Sequence, residues 1–134
     1  MPAEVFFDTT ILIYALKGQD ERAVRAEALL ADGGVVSVQV LNEFVAVARR
    51  KLRMPWEQIE EALTYLRALC GESLPITADT HESAIRIARR YGYHIYDSLM
   101  IASAREAGCT TLYSEDMQHG QRVGPLKLTN PFLI

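Results

Sequence analysis

Four acidic residues, Asp8, Glu43, Asp97 and Asp116, fall where a folded chain could use them together. Asp8 directly follows the apolar run Val5-Phe6-Phe7, and Asp116 follows Thr111-Leu112-Tyr113 after two residues. Asp97 stands at the start of an apolar helical pattern, and Glu43 lies in the first turns of another. In a parallel sheet, strand ends and helix starts share the carboxyl edge, where open α/β sheets bind their ligands. Carboxylates brought together there repel, so one takes up a proton or all share a cation. A hard divalent ion, Mg²⁺ or Mn²⁺, resolves the conflict because it prefers carboxylate and water oxygens. Such a site binds phosphate oxygens and activates water for in-line displacement, which is phosphodiester hydrolysis. Each acid also has a structural reading when taken singly. Asp97 suits a helix N-cap, Asp8 an Asx-turn, Glu43 a solvated helix surface, and Glu115 and Asp116 a loop.

The elements that must position these acids alternate between short apolar runs and helical patterns. After Val5-Phe6-Phe7, Thr9 is expected to cap a helix carrying Ile11, Leu12 and Tyr14. Asp20 caps the next, whose apolar stripe is Ala23, Val24, Ala26, Ala28, Leu29 and Leu30 and whose end is Gly33-Gly34. Val35-Val36 reads as a second strand, with Ser37 capping a helix over 39–52 that faces Val40, Leu41, Phe44, Val45 and Val47 inward. Pro55 suits the first turn of a helix to Cys70, and Leu74-Pro75-Ile76 is a weak strand. Thr77 or Asp79 caps a helix broken by Gly92, and Asp97 opens another through Ala107. Thr111-Leu112-Tyr113 and Leu126-Lys127-Leu128 close the strand set. Short, mostly apolar strands belong to sheets buried on both faces, and alternation with helices implies right-handed crossovers. The fold class expected is a three-layer α/β/α domain with a central, mostly parallel sheet.

Bulk properties bound the partners. The 134 residues suit a single domain spanning 1–134, and 49% hydrophobic with 23% charged residues suits an ordinary globular core. No apolar run approaches a membrane span, and no basic segment precedes an apolar one near the N-terminus, so a cytoplasmic location is expected. The two cysteines, Cys70 and Cys109, form neither a CxxC pair nor a zinc spacing and read as small core residues. A net charge of -3 argues against a simple nucleic-acid coat, leaving an enzyme with local basic clusters. An aspartyl-phosphate enzyme is disfavoured because Asp8-Thr9-Thr10 lacks the Asp-x-Asp pattern, and neither GxGxxG nor GxxxxGK[ST] is present.

The same residues resemble a known family. VFFDTTILIYAL is similar to the first motif of PIN domains, SVQVLNEFVAV to the second, YHIYDSLMIASAREAG to the third and TLYSEDMQHG to the fourth. The order matches, the resemblance spans nearly the whole chain, and the small size resembles VapC-type toxins of bacterial and archaeal toxin–antitoxin pairs. That resemblance implies a metal-dependent endoribonuclease using Mg²⁺ or Mn²⁺, an RNA substrate, a neutralising antitoxin and a homodimer. Asp8, Glu43, Asp97 and Asp116 would be its metal ligands and catalytic acids, with Thr9 and Ser114 in support. Thr10 departs from the family, which often has Asn or Ser there. Glu115 is expected to be peripheral. A PIN-fold RNA- or protein-binding module without catalysis is the competing expectation.

Two basic groups could hold RNA: Arg49, Arg50, Lys51 and Arg53 after Glu43, and Arg86, Arg89 and Arg90 before Asp97. Both also suit the cation-favouring ends of helices. Tyr93, His94 and Tyr96 could stack on an unpaired base, and His119 lies near Asp116 in sequence.

Overall fold

The computed structural model describes residues 4–133. Its first strand, β1, is Val5–Phe7, and Phe6 and Phe7 are completely buried. The chain then forms α1 (Thr9–Lys17), α2 (Glu21–Ala31), α3 (Val38–Arg50), α4 (Trp56–Cys70), α5 (Ala78–Tyr91) and α6 (Ile95–Glu106). Strands β2 (Thr111–Tyr113), β3 (Arg122–Val123) and β4 (Leu126–Thr129) follow. The sheet order is β1-β2-β4-β3, with β1, β2 and β4 parallel and only β3 antiparallel. The expected α/β class and mostly parallel sheet are observed.

Register sets the site. Phe7 lies opposite Tyr113, so the residues that leave β1 and β2, Asp8 and Ser114, emerge side by side. The Asp8 N–H donates to the Tyr113 carbonyl at 2.9 Å, and the Ser114 N–H donates to the Thr129 carbonyl at 3.0 Å. The sheet therefore holds both departures to its carboxyl edge.

Several local expectations shift. Asp8, rather than Thr9, caps α1: its side chain accepts from the Thr9 N–H. His94, rather than Asp97, caps α6, so Asp97 lies inside the first turn. Thr77 caps α5 through a reciprocal pair with Thr80, and Gly92 ends that helix in the left-handed region at φ 81°. Val35 and Leu74 make only isolated parallel bridges, to Phe6 and Ser37 respectively, rather than full strands. Two-residue β3 went unrecognised because its Arg-Val pair is too short for any period to register. Val24, expected in the apolar stripe of α2, is 68% exposed. Cys70 and Cys109 are buried free thiols, and burial pushes both up to about 11, which keeps them protonated and unreactive.

Candidate active site

Asp8, Glu43, Asp97 and Asp116 line one cleft of about 380 Å³, together with Thr9, Thr10, Tyr14, Lys51, Leu52 and Glu115. The four acids come from four separate segments: the end of β1, the middle of α3, the first turn of α6 and the loop after β2. Their side chains share the lining of that one cleft.

Asp8 is the fixed point. It is 3% exposed, and both carboxylate oxygens are engaged. Oδ1 accepts from the Thr9 N–H at 2.6 Å, and Oδ2 accepts from the Ser114 hydroxyl at 2.5 Å. Ser114, itself buried, also accepts from the Asp116 N–H at 3.1 Å. One hydroxyl thus ties the first acid to the loop that carries the fourth. Thr9 reaches the other way: its hydroxyl donates to the Val40 carbonyl at 3.4 Å, joining α1 to the helix that bears Glu43. Both supporting residues therefore connect acids across the fold.

Thr10 has a definite partner as well. Its hydroxyl oxygen accepts from the Glu115 N–H at 3.2 Å, pinning the Ser114–Asp116 loop to α1. Glu115 is less peripheral than expected. It accepts from the Tyr14 hydroxyl at 2.7 Å and lies 3.9 Å from the Arg22 guanidinium. Arg22 in turn donates to the Tyr14 oxygen at 3.0 Å. Tyr14 and Arg22 were missed as site residues. A Tyr on an amphipathic helix carries no sequence mark of a cleft wall, and Arg22 reaches the rim only through tertiary packing.

The electrostatics are those of crowded, half-desolvated acids. Burial pushes the Asp8 carboxyl up to about 7, with the nearby Asp97 and Glu43 charges adding to it and the Ser114 and Thr9 hydrogen bonds opposing it. Glu43 is raised first by burial, then by Asp97 and Asp116, against opposing effects from Gln39 and His94. Asp97 is raised by burial and by Asp116, with His94 opposing. The Oε2 atom of Glu43 is buried without a hydrogen-bond partner among the described residues. An orphaned carboxylate oxygen beside three further acids is a donor set that fits a hard cation. Among the described residues no three acid, His or Cys side chains stand close enough to form a ready-made metal group. Mg²⁺ tolerates that arrangement, because it keeps several waters and takes only one or two carboxylates directly.

The basic residues distribute unevenly. Lys51 lines the cleft, whereas Arg50 and Arg53 are exposed and outside its lining. Arg49 is committed elsewhere: its guanidinium donates to the Met54 carbonyl at 3.0 Å and lies 4.7 Å from the Trp56 ring centroid. Arg86 and Arg90 line a separate hollow, and Arg89 does not. Tyr93 is tied by its hydroxyl to Gln121 and Gln118. His119 accepts from the Asn130 N–H at 2.9 Å and is not part of the cleft lining. Tyr96 is 50% exposed beside the His94 ring.

Three solved structures share this fold. VapC20 of Mycobacterium tuberculosis, described as a sarcin–ricin loop cleaving toxin, aligns over 84% of this chain and 92% of its own, at TM-score 0.68 and 24% identity. A toxin–antitoxin complex from Klebsiella pneumoniae aligns over 98% of this chain and 100% of its own, at TM-score 0.75 and 18% identity. VapBC2 of Rickettsia felis, solved bound to a DNA fragment from its promoter, aligns over 94% of this chain and 97% of its own, at TM-score 0.67 and 21% identity. No curated protein matches the sequence. The PIN domain family model matches residues 5–122, which hold all four acids of the cleft, and the chain belongs to that family.

Proposed function

We propose that this chain is a metal-dependent endoribonuclease, the toxin of a toxin–antitoxin pair, hydrolysing phosphodiester bonds of RNA. One observation carries the reading. Four acids from four segments line one cleft, with Asp8 pushed up to about 7 by burial and by its acidic neighbours. Membership of the PIN family and likeness of fold to VapC20 and to toxin–antitoxin complexes support it. An antitoxin protein and a second copy of the chain are the partners proposed on the same grounds.

Asp8, Glu43, Asp97 and Asp116 would hold the cation, Mg²⁺ or Mn²⁺, through carboxylate oxygens. When bound, the cation supplies charge for the phosphodiester and acidifies attacking water. The chain's own work is positional. Ser114 and Thr9 fix the two oxygens of Asp8, Ser114 fixes the Asp116 backbone, and Thr10 holds the loop between them. Lys51 stands at the cleft wall with a charge suited to a phosphate of the bound strand.

The test is incubation of single-stranded and structured RNAs with Mg²⁺, Mn²⁺ or EDTA, beside an identically purified Asp97→Asn protein. Cleavage that needs the metal and disappears in Asp97→Asn is the expected result. Cleavage that persists in EDTA or in the variant refutes the metal mechanism. Absence of cleavage combined with RNA binding would favour the non-catalytic binding module.

A further inference from the structure

Outside the acidic cleft, α5 and α6 form a second hollow of about 250 Å³ lined by Ser83, Arg86, Ile87, Arg90, Tyr91 and Arg105. Ser83, Arg86 and Arg90 follow one another at helical spacing and share a face of α5. Arg105 arrives from the last turn of α6. Three guanidinium groups therefore border one small space, and no acid lines it. Among the described residues none of the three is paired with a carboxylate, the one such ion pair being Arg22 with Glu115.

The guanidinium groups are also oriented. Arg86 donates to the Ser83 hydroxyl at 3.2 Å, and Arg90 lies 5.4 Å from the Tyr91 ring centroid. Arg105 lies against the β3–β4 turn, where a Cβ at Gly124 would come within 2.8 Å of its Nη2 atom. Gly124 has φ 61°, so the turn both needs glycine and leaves the room that Arg105 uses. Three like charges placed together without a counter-charge lower the local cost of binding an anion. Planar guanidinium groups match the oxygens of phosphate in two-pronged hydrogen bonds.

Apart from Lys51 the charged residues that line the cleft are acids, and the chain carries a net charge of -3. A substrate strand longer than the cleft gains from positive surface further along its path. The hollow lies along the same two helices at a distance from the cleft: Arg105 follows Asp97 by eight residues of α6, ~12 Å of helix, and packs against the turn that enters β4, while Tyr91 closes the end of the hollow nearer the first turn of α6. We propose that Arg86, Arg90 and Arg105 form a phosphate-binding site that grips the RNA backbone at a distance from the bond to be cut. This rests on the ribonuclease reading above and extends it to a second contact with the same substrate. Arg89, on the same helix but outside the lining, takes no part.

The test uses the full chain carrying Asp97→Asn, so that RNA is not consumed, and a labelled single-stranded RNA followed by anisotropy with Mg²⁺ across a salt series. Arg86→Ala/Arg105→Ala in that background is expected to weaken binding on the order of tenfold and to flatten the log–log salt slope by ~1.4, at ~0.7 per phosphate contact. Arg25→Ala/Arg67→Ala removes the same charge from α2 and α4 and is expected to leave the slope unchanged. Arg86→Lys/Arg105→Lys keeps charge without the planar fork and is expected to fall between, which covers a failure of the alanine pair to fold. Equal slopes for parent, alanine and lysine pairs overturn the site while leaving the ribonuclease reading intact. Failure of the parent to bind RNA at low salt overturns the substrate reading and the site with it. Stronger competition by polyglutamate than by unlabelled RNA assigns the hollow to an acidic protein segment instead.

Discussion

The Asp8→Asn substitution separates what Asp8 costs the fold from what it contributes to the site. In the folded chain burial holds the Asp8 carboxyl at about 7, against an ordinary value of 3.8. The folded state therefore keeps a proton that the unfolded chain releases. The stabilising proton is fully present below about pH 4 and is lost as pH rises through about 7, so metal-free stability falls across that window. A difference of roughly 3 between the two values corresponds to about 4 kcal/mol as a ceiling. Asparagine has the same shape and cannot ionise. Its carbonyl can still accept from the Thr9 N–H, while the contact with Ser114 must reverse direction at a cost of about 1 kcal/mol. In EDTA at pH 8 the variant is therefore expected to be more stable than wild type by about 2 kcal/mol, a rise in Tm of roughly 8 °C. At pH 4.5 the gap is expected to close to within about 1 kcal/mol, because folded wild-type Asp8 is then protonated. Circular-dichroism melts of both proteins in EDTA from pH 4.5 to 8 make the comparison. Glu43 and Asp97 also titrate abnormally, and the difference between the two proteins removes their shared contribution only in part, since Asp97 and Glu43 lose a charged neighbour. A wild-type profile parallel to that of the variant across the whole range would show that burial does not strain Asp8, and the argument that the acids call for a cation would lose its main support.

Two further outcomes bear on the supports around the site. Ser114→Ala removes a hydrogen bond that lowers the Asp8 value and frees the Asp116 N–H, so the pH at which metal-dependent activity rises is expected to move upward, with a stability loss of about 1–3 kcal/mol. An unmoved pH–activity profile would remove Ser114 from the site. Arg49→Ala is expected to cost about 1–2 kcal/mol through loss of the Met54 and Trp56 contacts, with a change in the fluorescence of the lone tryptophan, while leaving the salt dependence of RNA binding unaltered; a flattened salt slope would return Arg49 to the RNA-binding group.

What the sequence disclosed follows from how locally each feature is determined. Asp8 and Asp116 sit directly after apolar strands, and strand ends in a parallel sheet share an edge, so their convergence follows from chain order and burial alone. Caps were less legible by one or several residues. Asp8 and Thr9 are both competent caps in adjacent positions, and only the backbone conformation chooses between them; His94 took a role that composition assigns to Asp97. The basic residues were least legible, because a guanidinium on a long side chain can spend itself on whatever tertiary packing brings near. The run 49–53 looked like one cationic surface. The turn after α3, which places Arg53 at φ 52°, instead folds Arg49 back onto Met54 and Trp56. Conversely, Arg105 stands fifteen or more residues from Arg86 and Arg90, and no local pattern joins them; the antiparallel packing of α5 on α6 does. Acids at strand ends are placed by topology, and topology is written in the alternation of the chain. Cations on helix surfaces are placed by packing, and which of them remain free to meet a substrate is decided only when the helices come together.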